Sequence, residues 1–536
     1  MSSSSIVTEK RTQVSFLKLS SIALVFLLVL APAAFGGVVF VHAATGAAAL
    51  QHGPILLSGT ATNAKEPQVQ TSADGTYVYV TYTRGSGGIY FAVSSNGGSS
   101  FGAAKKISTA SGTAQFPVMI TGDGYQSVNL GDVYVSWAQT ISGTLQIFVA
   151  SSSNNGGTFS VKQLSTGGGI TPALAAWGSD VYVTWYQTTP CPVTALNPLN
   201  STTGEGQSGC IYVASSANNG GTWSAPVELN PSVKGESQIV ASGEYAYLVA
   251  DGVWFSSFGV GASNWNGNSS SPTGWTTPIT VYSFYFYGSG CATFSTPCVF
   301  TFGREPWIAG NGLDVYITFN AIDLSSSPTG TPIYRIYGLT SNDGGVSWYS
   351  GTSTSLSNLV PGLGSEQSPS TPPSITTPAQ QQAFLLSGSV SNDWEPENVA
   401  SGSNGFMTFH SLANQGIYMT STTNSGSSWS TPVKVPSQKS GTSAYAHIFT
   451  SDGSNVWVMW GQVKSGSVWN AYVSDSRNSG GTWSAPLDIS NNNVGVAAGN
   501  QDVTLFGVAS IGTTCYAVWT YTNGGTSQVM FASITA

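Results

Sequence analysis

The stretch Ser216-Ala-Asn-Asn-Gly-Gly-Thr-Trp-Ser224 sets two asparagines and two glycines directly before a large aromatic. The pattern returns as SSNGGSSF at Ser94–Phe101, SSNNGGTF at Ser152–Phe159, SNDGGVSW at Ser341–Trp348, TTNSGSSW at Thr422–Trp429 and SRNSGGTW at Ser476–Trp483. These six copies reduce to Ser-x-Asn/Asp-x-Gly-x-Ser/Thr-Trp/Phe, with Thr422 standing for the first serine once. Each residue type has a job in a tight turn. Asn or Asp accepts hydrogen bonds from its own backbone, Gly supplies positive φ, hydroxyls satisfy leftover backbone groups, and the aromatic fills a gap between sheets.

Upstream of the turns lies a second repeat. DVYVSW (Asp132–Trp137), DVYVTW (Asp180–Trp185), DVYITF (Asp314–Phe319) and NVWVMW (Asn455–Trp460) alternate as strands do, with YVYVTY and YAYLVA as looser versions. A short strand precedes each, another runs into the glycine turn, and a fourth follows, as in APVELN or TPVKVP. Four short antiparallel strands per unit make one propeller blade. Gly, Ser, Thr and Asn are abundant, aromatics are 12% and charged residues 7% of the 536, which suits short strands and tight turns and leaves little for surface helices.

The turn resembles the Asp-box, or BNR repeat, of the sialidase-like β-propellers. On that resemblance the structural positions are Asn96 and Phe101, Asn154 and Phe159, Asn218 and Trp223, Asp343 and Trp348, Asn424 and Trp429, and Asn478 and Trp483. The expected fold is all-β, a single propeller. Innermost strands begin near Glu66, Phe116, Thr171, Glu236, Glu305, Glu397, His447 and Asp502, which gives eight blades, with six or seven as alternatives. The fourth unit lacks the turn but keeps WTTP at Trp275–Pro278. The eighth ends after three strands, so GPILLSG at Gly53–Gly59 is expected to supply its outer strand and close the ring.

With strands a to d running outward from the channel, the glycine turns are c-to-d connections. They leave the face opposite the entrances of the innermost strands, so their role is structural. The long insertions 187–209 and 322–332 read as b-to-c connections, and 282–300 and the Pro/Ser/Thr-rich 355–393 as d-to-a connections, all on the entrance face. Glu66, Glu236, Glu305, Glu395 and Asp502 gather there, as a ligand-binding ring of carboxylates or as a solvated rim bonded to backbone donors. His410 and His447 fall near the same mouth without the spacing of a metal site, and no cofactor is implied.

Sialidases hold a carboxylate with three arginines and use a tyrosine nucleophile. Beyond the N-terminal segment the chain has Arg84, Arg304, Arg335 and Arg477, the last inside a glycine turn. GREPWIAG at Gly303–Gly310 is similar to the Arg-Ile-Pro element of sialidases, with Glu305 where Ile is expected. Tyr82, Tyr186 and Tyr521 are the tyrosines to weigh as a nucleophile, and no aspartate marks an acid, so the catalytic residues stay unassigned. The reading is a glycan- or envelope-binding propeller using Arg84, Arg304, Glu305, Arg335, Glu66, Glu236, Trp394, Glu395 and Asp502, with Trp307 and YSFYFYG at Tyr282–Gly288 as further aromatics. An exo-sialidase and a structural surface protein are the alternatives.

Lys10, Arg11 and Lys18 precede an apolar run from Leu19 to Val41, and Val41 and Ala43 fit the positions that a signal peptidase reads. Residues 1–43 are therefore a signal peptide or an uncleaved anchor, residues 44–536 are the propeller, and the location is extracellular or cell-surface. Taking three of the 15 basic and one of the 23 acidic side chains away with that segment leaves 12 against 22. A net charge of −10 argues against nucleic acid and anionic membranes as partners. Cys191 with Cys210 and Cys291 with Cys298 suit two short disulfides, and Cys515 a buried thiol. Asn200 and Asn268 begin glycosylation sequons.

Overall fold

The computed structural model describes residues 48–536 except 61–62, 86, 109–111, 123–130, 188–208, 234–236, 244, 251–253, 259–274, 276–278, 281–283, 287–297, 301–303, 324–332, 346–383, 386–392, 412–413, 437–443, 466–467, 491–505 and 524–525. The N-terminal segment 1–43, Cys191, Glu236, Cys291, Trp348, Asp502 and both sequon asparagines lie outside the described residues.

Residues 44–536 form one compact unit of eight four-stranded antiparallel sheets, with a small hairpin of Phe284–Phe286 and Cys298–Phe300 beside them. Seven sheets each use four consecutive strands; the first runs Lys65–Thr71, Val78–Arg84, Gly88–Ser94 and Lys105–Lys106 from the channel outward. The other innermost strands are Ala114–Thr121, Ile170–Trp177, Ser237–Ser242, Arg304–Asn311, Asp393–Ser401, Ala444–Asp452 and Phe506–Ile511. Each packs against the next, and the eighth against the first, which closes the ring. The fold is the β-propeller that the sialidase resemblance implied.

The eighth sheet is composite. Its three C-terminal strands are completed by Ala49–Leu56, which pairs antiparallel with Thr526–Thr535 from Ala49 opposite Thr535 to Leu56 opposite Met530. The N-terminal strand thus closes the ring as GPILLSG suggested. It covers one edge of a strand that would otherwise offer unpaired backbone groups to another chain.

Alternation in the second strand of each blade fills the spaces between blades. Tyr79, Tyr134, Val135, Trp137, Trp185, Trp457, Trp460 and Trp519 are all fully buried. The glycine turns add wedges. Phe101 meets Phe531 of the eighth blade edge-on at 4.7 Å, Phe159 meets Phe91 of the first at 5.0 Å, and Trp429 meets Tyr316 of the fifth at 6.1 Å. Trp275, in the blade without the turn, takes the same place against Tyr182.

The turns are built from their own side chains. In the third blade the buried Ser216 Oγ accepts the Gly220 N–H at 2.9 Å and donates to Asn218 Oδ1 at 3.0 Å, and Asn218 Oδ1 accepts the Thr222 N–H at 2.8 Å. The first of these bonds recurs in all six copies, at Gly98, Gly156, Gly345, Gly426 and Gly480. The glycine is needed twice over at Gly98, where φ is +83° and an added Cβ would stand 2.7 Å from Phe531 of the neighbouring blade. Each turn also pins the a-to-b corner of its own blade: the N–H groups of Gly97, Asn155, Asn219, Gly344, Ser425 and Ser479 donate to the carbonyls of Thr76, Gly131, Ser179, Leu313, Ser403 and Ser454. Glycine turns and a-to-b corners therefore share one face, opposite the entrances of the innermost strands.

One placement differs from expectation. The outer strand of the fifth blade is Phe384–Leu385, paired with Gly338 and Tyr337. Residues 346–383 accordingly connect strand c to strand d and depart from the glycine-turn face, and only 386–392 lead from d to a. A Pro/Ser/Thr-rich run has no periodicity to show on which side of a two-residue strand it lies. The connections through 188–208, 281–303 and 324–332 do fall on the entrance face.

Candidate functional site

The mouth of the channel is built by one device used six times. Pairing between the first and second strands slips between Lys65 and Gln68, Gln115 and Val118, Ile170 and Ala173, Arg304 and Trp307, Trp394 and Glu397, and Tyr445 and Ile448. Each slip is a bulge at the strand's entrance, and bulges re-aim side chains at the rims of closed sheets. The first bulged residue is Glu66, Phe116, Thr171, Glu305, Glu395 or Ala446. The second is Pro67, Pro117, Pro172, Pro306, Pro396 or His447, all buried. Proline suits a position with no ladder partner because it has no N–H to lose.

Glu66, Phe116 and Thr171 hold left-handed backbone, with φ of 53°, 56° and 47°. The Glu66 carboxylate accepts the Phe116 N–H through Oε2 at 2.8 Å, joining the first blade to the second. Lower in the channel wall the buried Glu397 accepts the Phe449 N–H at 3.2 Å, joining the sixth to the seventh. Carboxylates at the mouth thus include groups already satisfied by backbone donors, the solvated-rim alternative in the case of Glu66.

The other expected site residues divide. Arg84 ends the second strand of the first blade, with its guanidinium 5.2 Å from the centre of the Tyr90 ring. Arg335 lies half-buried on the third strand of the fifth blade, and Arg304 begins that blade's first strand. In a ring of eight the first and fifth blades are opposite, so Arg84 and the pair Arg304 and Arg335 enter the propeller from opposite sides. Glu305 and Glu395 stand at bulge positions by backbone register and Trp394 at the paired position just before one; their side chains and that of Arg304 lie outside the description. Trp307 is half-buried, next to the blade junction.

Electrostatics at the mouth favour neutral forms. Tyr82 is buried, donates to the Leu57 carbonyl at 3.3 Å, and burial pushes its hydroxyl up to about 12. Burial likewise raises Tyr186. Both shifts oppose the ionisation a nucleophile needs. Tyr521 is half-buried near the outgoing end of its strand. Burial lowers His410 to about 4; burial and the adjacent His410 lower His447 to about 3, so both rings are uncharged at neutral pH. No grouping of three potential metal ligands occurs among the described residues.

The bulge series was not among the expected features, although the sequence carries a signal for it: a dipeptide, Glu-Pro, Phe-Pro, Thr-Pro, Glu-Pro and Glu-Pro, recurs where each of five innermost strands begins.

No family model matches the chain, and no curated protein does. Solved structures do resemble it in outline. An alpha-L-arabinofuranosidase from Fusarium graminearum in complex with an iminosugar inhibitor shares 11% identity at a TM-score of 0.40, over 77% of this chain and 92% of that one. An ulvan lyase, described as a new family of polysaccharide lyase, shares 10% identity at a TM-score of 0.42, over 89% and 94%. The sialidase of Trypanosoma rangeli in complex with sialic acid shares 10% at 0.36, over 81% of this chain and 55% of that one. The assignment as a propeller rests on strand order and ring closure, which need no relative.

Proposed function

We propose that this is an exported propeller that recognises uncharged glycans, or envelope components carrying them, at the channel mouth without turning them over. The observation that carries the reading is the bulge series: the same slip in register at the entrance of six innermost strands sets Glu66, Phe116, Thr171, Glu305, Glu395 and Ala446 in turn around one rim. Carboxylates, a hydroxyl and an aromatic on a rigid ring are the groups that bind sugar hydroxyls and apolar sugar faces. Glu236 and Asp502 belong to the same reading by their place before the fourth and eighth innermost strands, and Trp394 by its place beside Glu395.

Two points support binding over sialoside hydrolysis: the excess of acidic side chains beyond residue 43 disfavours an anionic sugar, and burial holds the Tyr82 and Tyr186 hydroxyls in their neutral form. The remainder of the proposal, export through residues 1–43 and disulfides at Cys191 with Cys210 and Cys291 with Cys298, rests on sequence alone.

The test is titration of the mature chain with neutral oligosaccharides and with sialosides, together with a fluorogenic sialoside. Binding of neutral sugars without turnover, weakened by changes at Glu395 or Trp394, is expected. Hydrolysis that disappears in Arg304→Ala would make the protein an enzyme instead. Failure to bind any glycan, with ordered self-assembly, would make it a structural component.

A further inference from the structure

We propose that Phe116 is a stacking platform for the apolar face of a pyranose ring, set at the mouth by the Glu66 carboxylate. The inference rests on the glycan reading and names the class of sugar: β-linked gluco-configured units, whose equatorial hydroxyls leave flat C–H faces.

The propeller's own repeats serve as controls. The bulge position is occupied by Glu66, Thr171, Glu305, Glu395 and Ala446 in other blades, so the fold has no need of an aromatic there. Elsewhere the large aromatics of the described residues are driven inward. Trp137 and Trp185 are fully buried, and Phe101 and Phe159 wedge between blades. Phe116 instead keeps 36% of its surface in water, and it is the aromatic among the exposed large hydrophobics of the described residues.

Its backbone is also costly. At φ of 56° a bulky L-residue pays about 1–2 kcal/mol, and the following Pro117 disfavours the compact region further. Glu66 and Thr171 hold the same conformation, so the bulge sets it, and the 2.8 Å bond from the Phe116 N–H to Glu66 Oε2 ties this bulge to the neighbouring blade. An outward aromatic tied in place by a carboxylate, where threonine serves the fold equally in the same conformation, points to a partner outside the chain. An aromatic face beside carboxylate acceptors fits a ring that is apolar on one side and hydroxylated at its edge.

The experiment is calorimetric titration of the mature chain with chitohexaose and cellohexaose. Phe116→Thr copies the residue of the third blade in the same conformation, so it folds, and its affinity is expected to fall about tenfold, the scale of one aromatic contact. Phe116→Tyr keeps the affinity. Glu66→Ala weakens binding several-fold, whereas Glu66→Gln, which retains an accepting oxygen, restores most of it; a merely structural carboxylate would not give that pattern in affinity at unchanged Tm. If the parent protein binds a sugar and Phe116→Thr binds it equally well, the platform is wrong and the glycan reading stands. If the parent binds neither sugar, the platform for β-linked gluco-configured units is wrong, and the glycan reading is decided by the wider titration of neutral oligosaccharides.

Discussion

Replacing Ser216 by alanine removes one oxygen from a glycine turn, and the structure says how much that costs. Ser216 is fully buried, and its Oγ serves three bonds: the Gly220 N–H at 2.9 Å, the Asn218 N–H at 3.3 Å and its own donation to Asn218 Oδ1 at 3.0 Å. The Gly220 N–H is the decisive group, because it lies buried and water cannot replace the lost oxygen. Leaving such a donor unpaired costs about 1–3 kcal/mol, and the longer Asn218 bond adds less. The closed ring makes the blades melt together, so residues 44–536 unfold with an entropy of about 1 kcal/mol per degree. Ser216→Ala should therefore lower Tm by about 1–3 °C. Asn218→Asp is the control: it keeps the accepting oxygen, as Asp343 does in the fifth blade, and should leave Tm nearly unchanged. Scanning calorimetry on both variants, with sugar titration alongside, is the assay. A Ser216→Ala protein that melts with the parent would refute the account of the turn. One that loses sugar affinity at full stability would refute the separation of turn face and binding face.

Further outcomes follow from the same geometry. Gly156→Ala should destabilise more than Ser216→Ala, since its new Cβ would collide with the Phe91 ring of the first blade at a φ of +73°; refolding yield and Tm report it. The buried His410 and His447 titrate near 4 and 3 against about 6.5 in the unfolded chain, so the unfolded state binds protons first. Stability should be complete above pH 6.5 and decline by several kcal/mol on the way down to about pH 3, measured as Tm against pH. In the folded protein neither ring should titrate by NMR between pH 8 and pH 5. Cys515 is buried and its thiol raised by burial, so it should resist alkylation until the ring unfolds; labelling at the native rate of an exposed thiol would contradict its place.

The repeating parts of this fold were plain in the sequence because they depend on local chemistry. Asn218 and Gly220 need only their own turn, and Val181 to Trp185 need only to alternate, so turn, strand and blade could be read together. Ring closure was readable for a subtler reason: a unit that ends one strand short must borrow its edge, and Gly53–Gly59 offered the only apolar strand before the first blade. The mouth was less legible. A bulge is a relation between two strands, and nothing in Phe116-Pro117 alone discloses that the phenylalanine is turned outward and bonded to Glu66 fifty residues earlier. The arginines were no easier to place: chain positions give blade numbers only once the blades are counted, and Arg84 belongs to the first blade, Arg304 and Arg335 to the fifth. The 355–393 run was misplaced because the strand that decides its side, Phe384–Leu385, is two residues long.

The most direct measurement is a crystal structure of the mature protein with the neutral oligosaccharide it binds most tightly. The account expects the sugar at the entrances of the innermost strands, with one ring lying flat on Phe116 and hydroxyls directed to the bulge carboxylates. A sugar seated instead among the glycine turns, or along the outer strands of the blades, would contradict it.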